Sequence, residues 1–297
     1  MRVTSLKEAG LFPNLRRVTF ETLFSQTLSL ESAAVLLLLS MAPSLTHLRF
    51  RQAVGNANDY PDSDGTVEFQ PPILWNLRVL ELASSAFMKS EWLHLIKLIA
   101  HCPSLESFHF DANGYDDDVG SRRQAHLPPR HFLVALKFVR KTLRHLHLCF
   151  ANAAFASDET QTIGAELLAF ENLETLELDV ASFTSPRGDP LEDDATCLSR
   201  ILPASIRRLR LIMLSTKRSQ VQSQILDLAK AAGAGRFASL RRVELHVPWR
   251  DTSGPDDEGF IERTGWKMEQ LVDARNELAK AGITLTCITA LPAFGLW

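Results

Sequence analysis

One short pattern recurs along nearly the whole chain and constrains its fold more than any other feature. The pattern is Leu-x-x-Leu-x-Leu, in which aromatic or β-branched residues replace some of the leucines. Self-similarity at a regular spacing is typical of repeat architectures, in which each unit packs only on its neighbours. A degenerate ninth copy covers residues 283–288. Eight clear copies, 28 to 38 residues apart, begin at Leu15, Leu45, Leu77, Leu105, Leu143, Leu173, Ile206 and Leu240.

Each copy predicts a strand with one buried face and one solvent-exposed face. Successive side chains of a strand point to opposite sides, so the fourth and sixth residues enter the core and their neighbours face solvent. Those neighbours include Arg, His, Glu and Thr, whereas a doubly wound sheet buries both faces of its strands. The predicted strands lie near residues 15–20, 45–50, 77–82, 105–110, 143–148, 173–178, 206–211, 240–247 and 283–288.

Helical stretches with an apolar face separate the strands. They cover residues 29–41, 90–102, 130–141, 159–170, 191–202, 219–232 and 264–281. Alternation of strand and helix gives parallel pairing through right-handed crossovers. Repeated eight or nine times, it predicts one α/β domain over residues 1–297. This domain is a horseshoe-shaped solenoid with a curved parallel sheet on its concave face and helices on its convex face.

Four phrases of the repeat are similar to a known family. They are FPNLRRVTF, APSLTHLRF, CPSLESFHF and FENLETLEL, at residues 12–20, 42–50, 102–110 and 170–178. The chain resembles the irregular leucine-rich repeats of F-box proteins, especially the fungal type, over residues 12–290. The resemblance implies a leucine-rich-repeat fold that presents a target protein to a ubiquitin ligase. The implied partners are protein targets and, where an F-box is supplied elsewhere, cullin-ligase components.

The chain departs from the family pattern in two ways. No F-box-like segment is found before the repeats, which weakens the expectation of direct docking to a cullin ligase. The family also carries Asn or Cys three residues after the last strand leucine, and here Asn113 is the clear match. Without that side chain to bind backbone groups, the turns after the strands are expected to be less regular.

Composition and motifs narrow the functional class. The chain has 297 residues, is 45% hydrophobic and carries a net charge of −3, so no overall attraction to nucleic acid or membrane is expected. Four scattered cysteines and no signal peptide predict a reducing compartment, cytoplasmic or nuclear. The sequence lacks P-loop, HExxH and GxSxG motifs, so we expect neither an enzyme nor a cofactor. The prediction is a non-catalytic protein-interaction module.

The solvent-exposed positions of the predicted strands supply the candidate binding residues. Adjacent strands lie about 4.8 Å apart, so equivalent residues of successive copies become lateral neighbours. Cys149 falls on this face beside two histidines, but no third catalytic group accompanies it. The predicted partner-binding residues are Arg49, Glu81, His109, Asp111, His145, His147, Glu177, Asp179 and Arg210.

Part of this surface also carries residue types that commonly bind metal ions. His109, His147 and Glu177 fall at the fifth position of three successive copies, with Asp111 and Asp179 two residues after the first and the last of them. Histidines and carboxylates in this number suit a divalent metal. The alternative is a solvated polar face, because a flat strand face spreads its side chains instead of converging them on one ion.

Zinc should stabilise the folded chain if His109, His147 and Glu177 converge on one ion, because a ligand that binds only the folded state shifts unfolding to higher temperature. Thermal unfolding followed with and without added zinc measures this. A melting temperature that does not move beyond error would contradict the metal hypothesis.

Charge is also distributed unevenly between the ends of the strands. Arginines stand at the strand starts, at Arg16, Arg78, Arg144, Arg207 and Arg241, while acidic residues cluster in residues 59–68, 111–118, 158–159, 189–194 and 251–258, after the strands. Parallel strands collect these two sets on opposite edges. An alternative function follows: a scaffold or regulator that binds a basic protein through the acidic edge, with salt-sensitive association.

Overall fold

The computed structural model of the chain describes residues 12–21, 30, 32–51, 70–85, 92–112, 127–150, 163–183, 197–213, 218–248 and 268–290. These residues form an α/β protein whose strands are all paired in parallel. The chain divides into two compact units. The first comprises residues 1–143 and 152–159, and the second comprises residues 144–151 and 160–297.

The first unit contains four strands that pair in sequence order. The strands are β1 (Arg17–Glu21), β2 (His47–Arg51), β3 (Val79–Ser85) and β4 (Ser107–Ala112). The helices of this unit are α1 (Ala33–Met41), α2 (Trp92–Ala100) and α3 (Pro129–Leu136), and the 3-10 turn η1 (Lys137–Val139) continues α3.

The second unit repeats the arrangement with five strands. They are β5 (His145–Cys149), β6 (Thr175–Asp179), β7 (Arg208–Ile212), β8 (Arg242–Pro248) and β9 (Thr284–Ala290). The helical segments are two 3-10 turns, η2 (Ala165–Ala169) and η3 (Val180–Ser182), and three α-helices, α4 (Cys197–Ile201), α5 (Arg218–Gly233) and α6 (Met268–Lys280).

The strands pair in the register that the repeat predicts. Within each unit, third positions face third positions and fifth face fifth, as Arg208 pairs with Arg242 and Arg210 with Glu244. The degenerate ninth copy is a true strand, because β9 pairs with β8 from Thr284 to Ala290. Each strand begins at about the third residue of its copy.

The apolar positions of the repeat build the core. Leu176 and Leu178 of β6 and Leu209 and Leu211 of β7 are fully buried. Burying such a leucine side chain contributes about 1.5–3 kcal/mol. Helices cover the same side: Phe132 of α3, for example, packs on β4 of the first unit, with its ring centroid 4.2 Å from that of Phe110 and 6.3 Å from that of Phe108.

One predicted helical stretch is a short 3-10 turn. The sequence predicts a helical stretch over residues 159–170, and the structure has the 3-10 turn η2 within it, while residues 159–162 lie outside the described part. Gly164 precedes the turn, and the N–H of Leu167 donates to its carbonyl, which closes a tight i to i+3 loop. Ile163, Leu167 and Phe170 are buried by this single turn, so a longer helix is not needed to close the core.

Helix α5 extends one residue beyond its predicted segment, 219–232, at each end, and α3 begins one residue before its predicted segment. The remaining α-helices lie within their predicted ranges, parts of which fall outside the described residues. Within the described residues, no helix combines the length and the apolar character that crossing a membrane requires.

Candidate functional site

The exposed face of the second unit carries a network of charged side chains. Alternation along the strands puts Glu177, Arg208, Arg210, Arg242 and Glu244 on this face, at third and fifth positions. We call these five residues the Arg–Glu network. Since parallel pairing aligns the fifth positions, Arg210 of β7 stands between Glu177 of β6 and Glu244 of β8.

Arg210 and Glu244 are the centre of this network. The Nη1 atom of Arg210 lies 3.1 Å from each carboxylate oxygen of Glu177, and its Nε lies 2.8 Å from Oε2 of Glu244. The same Oε2 accepts from Nη2 of Arg208 at 2.8 Å, and Nη1 of Arg242 lies 3.5 Å from Oε1. Glu244 therefore binds three arginines, and its side chain is only 3% exposed.

The electrostatic environment keeps Glu177, Arg210 and Glu244 ionised. Burial alone would raise the pKa of Glu244, but hydrogen bonds and charges from Arg208 and Arg210 outweigh it and lower that pKa. Burial likewise opposes ionisation of Glu177, yet His147 and Arg210 bring its pKa down to about 2. For Arg210, desolvation is overcome by the two carboxylates, which raise its pKa. These charges persist throughout the neutral pH range.

Two histidines border the network. Nδ1 of His147 lies 3.3 Å from Oε1 of Glu177. His246 has a lowered pKa because burial and the Arg210 charge together outweigh the attraction of Glu177 and Glu244. His145, at the third position of β5, is exposed to solvent.

Acid should weaken the second unit through Glu177. A carboxyl whose folded-state pKa is depressed stabilises the fold above its unfolded pKa, and the contribution is lost as pH falls toward the folded value. For Glu177 the window runs from about 4.5 down to about 2. With its side chain 18% exposed, solvent screening reduces the contribution to about 2 kcal/mol.

Glu177→Gln measures this contribution. Urea unfolding of the wild type and the variant should differ by about 2 kcal/mol at pH 6, and the difference should shrink progressively as pH falls toward about 2. The matched control is Glu269→Gln, on an exposed position in the first turn of α6. A stability difference that is constant across this pH range would contradict the assignment.

Two residues expected on the exposed face are buried instead. The prediction of Asp179 as a binding residue on this face is wrong, since Asp179 is 1% exposed, and Cys149, which the register places on the same face, is 3% exposed. Both occupy the seventh position of their copy. In β6 the turn η3 follows this position directly, and its Ser182 donates to the Asp179 carboxylate, so the alternation of buried and exposed residues ends before the strand does.

Asp179 joins two successive strand ends. One of its carboxylate oxygens accepts a hydrogen bond from the N–H of Phe150, the residue after β5. The other accepts from the N–H of Ser182 at 2.7 Å and from its Oγ at 2.8 Å. Burial raises the pKa of Asp179 even though these donors favour the charged form.

This carboxylate binds backbone N–H groups at the turn after β6, two positions before residue 181, where the resemblance places an Asn or Cys. Sequence reasoning missed it, although a signal was present. An Asp followed by Ser three residues later is the spacing at which a side chain caps a helical turn, and Asp179 caps η3.

The exposed face of the first unit carries pairs of opposite charge. The predicted residues Arg49 and Glu81 are joined by an ion pair of 3.3 Å between the guanidinium Nε and a carboxylate oxygen. His109 and Asp111 lie on one strand, with Nε2 and Oδ2 2.5 Å apart. The pKa of His47 is lowered by burial and by Arg17, against the opposing effect of Glu81.

The structure also shows competition for the proposed metal ligands. Both oxygens of Glu177 already contact Arg210, so a metal would have to displace a guanidinium to reach them. The hypothesis of zinc binding by His109, His147 and Glu177 stays a prediction.

The described residues include the predicted arginine edge at the strand starts but little of the predicted acidic edge after the strands. At the strand starts of the second unit, Arg144 and Arg207 pair with the same carboxylate of Glu174, at 3.5 Å and 3.6 Å. Nearly all of the acidic segments after the strands lie outside the described residues, which leaves binding through the acidic edge as a prediction. The aligned charges of the strand faces are therefore the best-defined candidate surface.

Comparison with known proteins adds no family assignment. Neither the scan against protein-family models nor the search of curated proteins gives a match.

Proposed function

We propose that the chain is a non-catalytic protein-interaction module that binds a partner through the exposed faces of its parallel strands. Its role would resemble that of the substrate-recognition repeats of F-box ubiquitin-ligase adaptors. One observation carries the proposal: Arg210 is fixed between Glu177 and Glu244 on neighbouring strands, so the charges of this surface have defined positions. Side chains held in place before binding lose little conformational entropy on association.

A protein partner fits this surface better than a chemical reaction does. General acid–base catalysis works best with a group whose pKa lies near the working pH. Here the neighbours move the pKa of Glu177 to about 2 and that of Arg210 upward, so both keep fixed charges near neutrality. Fixed charges suit electrostatic complementarity, which selects partners and orients them.

The fold proposed with this function is a leucine-rich-repeat solenoid. It is supported by the strands of each unit pairing in sequence order and by the buried leucines of the repeat. A reducing location, cytoplasmic or nuclear, goes with Cys102, Cys149 and Cys287, none of which forms a disulfide bond.

Site-specific cross-linking tests the proposal. A photoreactive benzoylphenylalanine replaces Thr175, at the third position of β6, and in a second sample it replaces the exposed Val272 of α6. In extract from the native cell, we expect position 175 to form cross-links to protein, and excess unlabelled chain should abolish these cross-links by competition. Position 272 should form no cross-links that the unlabelled chain abolishes. Cullin-ligase components among the products would support an adaptor role. Equal cross-linking from both positions would contradict a binding face on the strands.

A further inference from the structure

The strand starts and exposed strand faces of the second unit together hold more arginine than carboxylate. At the second, third and fifth positions of the β5 to β8 copies, six arginines face three glutamates, an excess of three positive charges on a chain whose net charge is −3. The glutamates are Glu174, Glu177 and Glu244. We call the six arginines the arginine surface: Arg144, Arg207, Arg208, Arg210, Arg241 and Arg242.

The three glutamates are too few to pair fully with the six arginines. Glu174 is shared by Arg144 and Arg207, whose side chains remain 57% and 66% exposed. Arg242 reaches Glu244 only at 3.5 Å and is 55% exposed. Arg241 donates to the backbone carbonyls of Ala238 and Leu240, and within the described residues it has no carboxylate partner. Several guanidinium groups thus keep donors directed to solvent.

We propose that the arginine surface binds an acidic segment of a partner protein, rich in Asp and Glu. This inference rests on the proposed function and names the chemistry of the partner. A guanidinium presents a planar fork of donors that matches a carboxylate in bidentate geometry. The strand starts of β5 to β8 span about 14 Å at 4.8 Å per strand, a distance that a short extended peptide covers.

The same surface is poorly suited to nucleic acid. Its second, third and fifth positions in β5 to β8 carry no Phe, Tyr or Trp on which bases would stack. Three glutamates alternate with the arginines and repel any anion. A peptide carries its carboxylates on flexible side chains that can turn toward the exposed arginines and away from these glutamates, whereas a nucleic acid carries its charge on the backbone itself.

A hexaglutamate peptide labelled with fluorescein is the probe. Fully extended, it reaches about 20 Å, which is enough to cross four strand starts. We expect its fluorescence anisotropy to rise on titration with the full chain at about 50 mM salt and the affinity to fall at about 300 mM. A labelled hexalysine peptide should not bind this surface.

Paired variants locate the binding. Arg207→Gln with Arg241→Gln removes two exposed guanidinium groups, and we expect affinity for hexaglutamate to fall about tenfold. The matched control, Arg200→Gln with Lys230→Gln, removes the same charge from exposed positions on α4 and α5 and should change affinity less than about twofold. Equal weakening by both pairs would overturn the assignment to the arginine surface.

Failure of this inference is distinguishable from failure of the proposed function. If hexaglutamate does not bind while cross-linking from position 175 persists, the acidic class of partner is overturned and the interaction face stands. If neither is observed, both are overturned. Tighter binding of a hexathymidylate oligonucleotide than of hexaglutamate would likewise overturn the choice of an acidic peptide.

Discussion

Replacing Glu244 by alanine is expected to lower the free energy of unfolding by about 3 kcal/mol, because it leaves Arg208 and Arg210 without their shared acceptor. Both guanidinium groups contact the same Oε2 atom at 2.8 Å, and Arg242 lies 3.5 Å from the other oxygen. Removing the carboxylate also leaves three positive charges facing one another on adjacent strands. Urea unfolding followed by circular dichroism measures the loss.

Companion variants separate charge from packing. Glu244→Gln keeps an acceptor but removes the negative charge, and we expect it to lose about half as much stability. Glu269→Ala, on an exposed position of α6, should stay within about 0.5 kcal/mol of the wild type. In the double variant Glu244→Ala with Arg210→Ala, the loss should be smaller than the sum of the single losses, since a partner is no longer left unpaired. Strictly additive losses would contradict the coupling.

The strand core was predictable because it depends on local alternation. A residue at the fourth or sixth position enters the core whatever lies elsewhere in the chain, as Leu209 and Leu211 do. The parallel register follows for the same reason, since each copy buries the same positions. The type of the helical segment before β6 was not predictable, because its apolar spacing fits a single 3-10 turn as well as three turns of α-helix.

The details of the site depend on neighbours about 30 residues away, which no local pattern specifies. Glu81 and Glu244 occupy the same fifth position of the repeat and look equivalent in the sequence. In the structure Glu81 pairs with Arg49 and is 33% exposed, whereas Glu244, among three arginines, is 3% exposed. The sequence identified Glu177 and Arg210 as surface residues but not the carboxylate that joins their network to β8.

The seventh position shows the limit of alternation more directly. The alternation of the strand assigns Asp179 to the solvent-exposed face, yet Asp179 is buried at the turn that follows β6. A buried carboxylate is stable only where donors surround it, and here Phe150 and Ser182 supply them. The polar residue that closes the turn is therefore one residue beyond the last strand leucine, two positions earlier than the family pattern implies.

Asp179→Ala should consequently be at least as damaging as the loss of Glu244, at about 3–4 kcal/mol. Two buried backbone N–H groups and one hydroxyl lose their acceptor, and each unsatisfied buried group costs about 1–3 kcal/mol. Hydrogen exchange adds a local readout: the amide of Phe150 should exchange faster in the variant, at urea concentrations well below global unfolding.

Asn at this position tests the charge and the geometry together. Asp179→Asn keeps one oxygen for Ser182 but turns an NH2 group toward the N–H of Phe150, so we expect a stability loss between those of wild type and Asp179→Ala, again with faster exchange at Phe150. Asp273→Ala, on an exposed position of α6, is the matched control and should leave both readouts unchanged. Unchanged protection of Phe150 in Asp179→Ala would show that this carboxylate does not join the ends of β5 and β6. The turn would then be held by the apolar contacts of the core alone, among them those of Phe150, Val180 and Phe183, which are all buried.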